Sequence, residues 1–139
     1  MELMTEQNKA IVRRFNKEFL EKGDLNSFHE LVAANVINHA APAGTPSGPD
    51  SMIHFIINIL RAGFPDLKVE ILEQVAERDF VTSRKKIHAT HIGNIMDIAP
   101  SNKKVVIDVI DIIRLKDGKY AEHWGMSNFT DVIAQISKN

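Results

Sequence analysis

Val105-Val106-Ile107-Asp108-Val109-Ile110-Asp111-Ile112-Ile113, followed by Asp117-Gly118 and then Glu122-His123-Trp124-Gly125, decides how this chain is read. β-Branched residues suit the pleated surface of a strand, and Asp-Gly between two such runs is a strong hairpin signal. Two apolar strands joined tightly, carrying acids and a histidine inward, form the wall of a pocket with a polar tip. Strand alternation separates the two aspartates. Asp108 shares a face with Val106, Ile110 and Ile112, and Asp111 shares the other with Ile107, Val109 and Ile113. Lys116-Asp117-Gly118-Lys119 suits either a two-residue turn, which sets Asp111 opposite Trp124, or a type I turn with a glycine bulge, which sets Asp111 opposite His123 on one face. The bulged form is favoured here, since Gly118 then occupies the one position requiring a positive φ.

Upstream of this hairpin the periodicity is first helical and then extended. Thr5 and Glu6 read as a helix start; Ile11, Phe15 and Phe19 recur every four residues, and Gly23 ends the helix, which spans about 5–22. Asp24 caps a short second helix with Phe28, Leu31 and Val32 as its buried stripe, and Val36-Ile37-Asn38-His39 is a short extended segment. Ala41 to Pro49 is a loop rich in turn formers, with Pro49 at the first turn of a third helix that reaches about Ala62. Its polar stripe is His54, Asn58 and Arg61. Strands follow at about 67–77 and 80–92, then the hairpin, and a last short helix from Phe129 to Ile136. Three helices before a run of strands predict an α+β domain. Its curved antiparallel sheet forms a cone, with the helices on the concave face and a pocket at the open end.

With 139 residues, the chain is read as a single domain over 1–139, able to bury about two-thirds of its unfolded surface. A formal net charge of -1 leaves no electrostatic case for nucleic acid or an anionic membrane surface. Met1 to Glu6 lack the basic start and apolar core of a signal peptide, and no apolar run approaches the roughly 18 residues of a membrane span. These features predict a cytoplasmic protein. The absence of cysteine excludes disulfides, thiolate nucleophiles and cysteine zinc sites. His88 and His91, three apart on a strand, point to opposite faces, so no metal is expected.

The order of elements carries a resemblance, together with His91-Ile92-Gly93, Pro100-Ser101-Asn102-Lys103-Lys104-Val105, the strand end Arg114-Leu115-Lys116-Asp117-Gly118-Lys119, and Glu122-His123-Trp124-Gly125. The chain resembles the SnoaL-like polyketide cyclase or ester-cyclase family, within the nuclear transport factor 2-like, cystatin-like superfamily, from about Asn8 to Ile136. The resemblance implies a cone-shaped α+β fold and cofactor-independent acid-base chemistry next to a carbonyl or ester of an apolar substrate. The superfamily also holds isomerases, epoxide hydrolases and non-catalytic binders, so a small-ligand-binding or dimerisation module is the alternative.

Asp111, His123 and His39 are the candidate catalytic groups. Asp111 sits among aliphatic neighbours, where desolvation raises a carboxyl's proton affinity, and the family places a pocket histidine at its position. Imidazole, with an ordinary pKa of about 6.5, reaches both protonation states near neutrality, and an aspartate across the strand from His123 would hold its tautomer. The resemblance puts His39 near the open end and matches Asn38 to a pocket asparagine. His91, Trp124 and Asn128 complete the expected substrate-binding set. One departure stands out: the family's essential acid-base aspartate corresponds to Gly125, and Asn128, where a carboxylate is common, carries an amide.

Other residues receive plainer readings. Arg84-Lys85-Lys86 reads as a solvated strand edge, and His29 and His54 as solvated helix residues. Phe15, Phe19, Phe28, Phe55 and Phe64 read as core. Apolar Val106, Ile110 and Ile112 on the convex face predict a homodimer through the sheet.

Overall fold

The computed structural model describes residues 2–138. Helix α1 (Glu2–Arg14) starts ahead of the expected Thr5 and runs into a π-helical segment (Phe15–Glu21). Val12, Phe15, Phe19 and Leu20 form its buried stripe. It stops where Gly23 takes a φ of +74° and its N–H bonds the Phe19 carbonyl, a conformation that costs a residue without Cβ little. Arg61 from a later helix donates to the Leu20 and Glu21 carbonyls and satisfies this helix end. Asp24 caps α2 (Leu25–Leu31) by accepting the backbone N–H groups of Asn26 and Ser27.

After β1 (Val32–Asn38) and a loop, Pro49 opens a continuous helical rod: α3 (Pro49–Ile53), a π-helical segment (His54–Leu60) and α4 (Arg61–Gly63). Strands β2 (Lys68–Glu77), β3 (Phe80–Thr90), β4 (Lys104–Lys116) and β5 (Lys119–Ser127) follow, then α5 (Phe129–Ile136). Among the described residues no helix is long and apolar enough to cross a membrane.

The five strands form one curved sheet in the order β1-β5-β4-β3-β2. Strands β2 to β5 are antiparallel neighbours as expected, but β1 lies parallel to β5, with Ile37 beside Glu122 and Asn38 beside His123. The extended segment after α2 is therefore a sheet strand, and the sheet is mixed. This pairing carries Asn38 onto the inner face next to His123.

The hairpin register corrects both expected forms. Lys116 pairs with Lys119, and Asp117 and Gly118 have φ of 52° and 74°, a two-residue turn with both central residues left-handed. The ladder then shifts: Leu115 faces Tyr120 but Arg114 faces Glu122, so Ala121 is the extra residue of a bulge inside β5. Ile113 therefore faces His123, and Asp111 faces Gly125. The one-residue shift restores the parity that a plain two-residue turn would break, so Asp111 and His123 share the inner face as diagonal neighbours.

Burial along β4 alternates as the sequence requires. Val105, Ile107, Asp111, Ile113 and Leu115 are buried, while Val106, Asp108, Ile110 and Ile112 are exposed. Helix α1 lies against β2, β3 and β5. From the π-helical segment that follows, Phe15 and Phe19 pack at tilted angles with Phe28 and Tyr120, ring centroids 4.6 to 6.4 Å apart. Beyond β3 the chain turns against the end of the rod, where the N–H groups of Ile92 and Gly93 both bond the Gly63 carbonyl. A Cβ on Gly93 would lie 1.9 Å from the Ala62 carbonyl oxygen, so only glycine fits this approach.

Candidate functional site

Between the helical rod and the inner sheet face lies a cavity of about 840 Å³, a volume suited to a small molecule. Phe15, Leu20, Ile56, Ile87, Ile107 and Val109 supply apolar wall, and Met96, Met126, Phe55 and Phe129 stand around it nearer the surface. Its polar lining includes Asn38, Lys85, Asp111, Tyr120 and His123.

These groups are linked in series. Asn16 in the π-helical turn after α1 bonds the Val12 carbonyl and accepts from Lys85 Nζ at 2.6 Å. The same Nζ lies 3.1 Å from Asp111 Oδ2, with the two side chains only 5% and 3% exposed. Asp111 Oδ2 lies 3.8 Å from His123 Nε2. That is longer than a hydrogen bond, and it becomes a contact of opposite charges only when the imidazole is protonated. His123 Nδ1 is 2.9 Å from Asn38 Oδ1, and Asn38 Nδ2 donates to Ser51 Oγ. The chain of contacts thus crosses the domain from the first helix, over four strands, to the third helix.

One backbone bond settles the histidine tautomer. The Ala40 N–H donates to Asn38 Oδ1 at 3.1 Å, and an amide N–H can only donate. Oδ1 is therefore the acceptor, the amide orientation is set, and Nδ1 of His123 must carry the proton it shares with Oδ1. In the neutral ring the free lone pair is on Nε2, on the side of Asp111.

Charge balance at the site differs from the sequence-based expectation for Asp111. Burial alone pushes the carboxyl up, but the Lys85 charge and the contact with His123 outweigh it, and Asp111 is held below its ordinary value. Asp111 is therefore an ionised partner at neutral pH, not a raised-pKa base. Burial, with the Asp111 charge adding to it, pushes the Tyr120 phenol well above its usual value. Tyr120 remains a neutral hydroxyl in the cavity wall.

The other expected site residues lie elsewhere. His39 follows the last residue of β1, and its contacts lie on the outer face: it stacks on Trp124 at 4.7 Å and 7° and bonds Glu122. Trp124, next to inward His123, faces outward opposite Ile112 and is not in the cavity wall. His91 is fully buried and also off the cavity. Its Nδ1 accepts from the Ser101 N–H, its ring packs on Phe64, and its Nε2 is a buried atom without a hydrogen-bond partner. It ties down the connection between β3 and β4. Asn128 accepts the Asp108 N–H at the entry to α5 and does not line the cavity. Phe55, expected in the core, is 38% exposed near the cavity surface, against Phe129. His54 is exposed as expected but also lines the cavity.

Lys85 is the residue that composition obscured. Within Arg84-Lys85-Lys86 only Lys85 is buried. Val81, Ile87 and Ala89 all occupy odd positions of β3, and that parity places residue 85 inward with them. Asn16 had no comparable signal, because its partner comes from a strand 69 residues away.

Comparison with known proteins agrees with this architecture. The family profile described as SnoaL-like polyketide cyclase matches residues 10–136. A candidate SnoaL-like polyketide cyclase from Jannaschia sp. CCS1 is 24% identical, with a TM-score of 0.84 covering 97% of this chain and 94% of its own. IdmH, a candidate polyketide cyclase from Streptomyces antibioticus, is 25% identical with a TM-score of 0.82, covering 95% of this chain and 99% of its own. AclR, a candidate hydroxylase from Streptomyces galilaeus, is 23% identical with a TM-score of 0.83, covering 97% and 83%. Comparison with curated proteins found no match. These neighbours share the fold under different assigned chemistries, so function is argued from the site.

Proposed function

The chain belongs to the SnoaL-like polyketide cyclase family, and from that membership we propose that it is a cofactor-independent acid-base catalyst acting next to a carbonyl or ester of an apolar substrate. One observation carries the reading: His123, a histidine of fixed tautomer, lines a largely apolar cavity, backed by a buried Lys85–Asp111 ion pair.

The geometry supports a simple sequence of proton movements. His123 Nε2 takes a proton from a carbon beside the carbonyl, and the C–H electron pair moves into the carbonyl to give an enolate. The imidazolium so formed has the Asp111 carboxylate 3.8 Å away and keeps its Nδ1–H on Asn38. The enolate carbon attacks a second carbonyl in a ring closure, and the resulting alkoxide takes the proton back from Nε2. Atoms and charge balance without a further reagent. Asp111 and Lys85 act through His123 as positioning residues, while His39 on the outer face takes no part.

Substitution of His123→Gln tests this on carbonyl and ester substrates, with kcat expected to fall by about 10²- to 10⁴-fold and KM to change little. An unchanged kcat would sink the proposal. The alternative is a binding module that holds such a ligand without transforming it. Gly125 in place of the family's acid-base aspartate, and the engagement of Asp111 by Lys85, both favour that alternative. Tight binding without turnover by the wild type would decide for it. We also propose a homodimer through the outer sheet face, where Val106, Ile110 and Ile112 stay exposed on the side away from the helices.

A further inference from the structure

Gly125 faces Asp111 across the ladder and lies two residues beyond His123 along β5. A Cβ built on it would stand 3.0 Å from both Cε1 and Nε2 of His123 and 3.6 Å from Asp111 Cβ. Carbon contacts are ordinarily about 3.5–4.0 Å, so even a methyl group would press on the ring edge that carries the free lone pair. The φ of Gly125 is not positive. Its conformation therefore does not demand glycine; the space beside the imidazole does. The residue is part of the cavity wall. His123 beside it is 20% exposed, whereas Asp111 and Lys85 are 3% and 5% exposed.

We infer that the missing side chain at position 125 is the opening through which a ligand reaches Nε2 of His123, so that residue 125 sets access to the site. The group a ligand meets there is the imidazole edge, and the buried carboxylate lies behind it. The ligand class, a carbonyl compound or ester presenting an acidic C–H or O–H to that edge, rests on the acid-base reading above; the access itself does not. A larger residue at 125 therefore changes who enters and how fast: its Cβ meets the imidazole edge first, at 3.0 Å, and Asp111 Cβ only at ordinary contact distance, 3.6 Å.

Diethyl pyrocarbonate tests the opening without a substrate. The Nε2 lone pair attacks one carbonyl of the reagent, forming an N–C bond. Ethyl carbonate leaves as the anion, the acylated ring loses its Nδ1 proton to solvent, and the anion takes up a proton and breaks into ethanol and carbon dioxide. Peptide mapping by mass spectrometry then gives a rate for each histidine in the full chain, with exposed His29 as the fast reference and buried His91 as the slow one. In the wild type His123 is expected to react well ahead of His91. In Gly125→Ala its rate is expected to fall at least about tenfold, the scale of a modest overpacking strain, while His29 is unchanged and thermal melting confirms folding. Equal His123 rates in the folded variant and the wild type would overturn the inference. So would a wild-type His123 as inert as His91, a result that stands even where Gly125→Ala does not fold. Because the reagent supplies its own electrophile, a chain without turnover defeats the catalytic reading and leaves the opening intact. An inert His123 in an active chain does the reverse.

Discussion

Replacing Lys85 by Met tests the electrostatic design of the site most directly. The ammonium and the Asp111 carboxylate are 3.1 Å apart, with both side chains at least nineteen-twentieths buried. Lys85→Met keeps the length of the stem but strands the carboxylate in a poorly solvated setting, and it deprives Asn16 Oδ1 of its donor. Breaking a buried pair from one side costs about 3–5 kcal/mol, a large share of the roughly 5–15 kcal/mol by which a domain is stable. At about 3–5 °C per kcal/mol for a chain of intermediate size, Tm should drop by about 10–20 °C.

The pH dependence follows from the direction of the Asp111 shift. With Lys85 gone, burial outweighs what remains, and the carboxyl moves from below to above its unfolded value. A carboxyl raised in the folded state weakens stability at pH above its unfolded value, and the penalty is relieved as the pH falls and the group protonates. The deficit of Lys85→Met in urea unfolding should therefore shrink as the pH falls from neutrality toward the ordinary carboxyl range. Lys85→Met/Asp111→Asn, which removes both charges, should recover at least about half of the loss, a coupling of about 2 kcal/mol in the double-mutant cycle. A single variant within about 1 kcal/mol of the wild type, or strict additivity in the cycle, would refute the reasoning.

Further outcomes follow from other parts of the structure. In the wild type the Asp111 carboxyl is held below its ordinary value, so its contribution is complete above about pH 4 and is lost as the pH falls through the folded value; the stability gap between wild type and Asp111→Asn should be constant near neutrality and narrow below about pH 4 in acid titrations. Gly93→Ala places a Cβ 1.9 Å from the Ala62 carbonyl oxygen and should cost at least about 3 kcal/mol or prevent folding, read by urea unfolding; a shift under 1 kcal/mol would show that the approach of loop to helix is not tight. Ile110, 53% exposed on the outer face, should be central to the proposed dimer, so Ile110→Lys should yield a monomer by light scattering with ligand binding unchanged. A monomeric wild type at micromolar concentration counts against that interface.

Much of the architecture was legible in local chemistry. Period-four apolar spacing, Asp24 and Gly23 at helix ends, and the β-branched run of β4 each dictate an element with few alternatives, because burial of one face forces the periodicity. The same logic put Asp111 and Asp108 on opposite faces, the family resemblance favouring Asp111 as the inward one, and applied to Val81, Ile87 and Ala89 it also places Lys85. The register between strands was not legible in this way. Whether Asp111 meets Trp124, His123 or Gly125 depends on a bulge at Ala121, which the turn sequence does not specify. Nor could local pattern reveal that β1 pairs in parallel with β5, which brings Asn38 to His123 and turns His39 away. The protonation behaviour of Asp111 was decided last of all. Its aliphatic neighbours along the strand argue for a raised carboxyl, whereas an ammonium from the next strand, held by an asparagine from the first helix, holds it down. Sequence specifies what each strand and helix buries, since that depends on neighbours within a few residues. The charges and hydrogen bonds that tune a buried group come from whichever distant segments the fold lays beside it, and only the tertiary structure decides those.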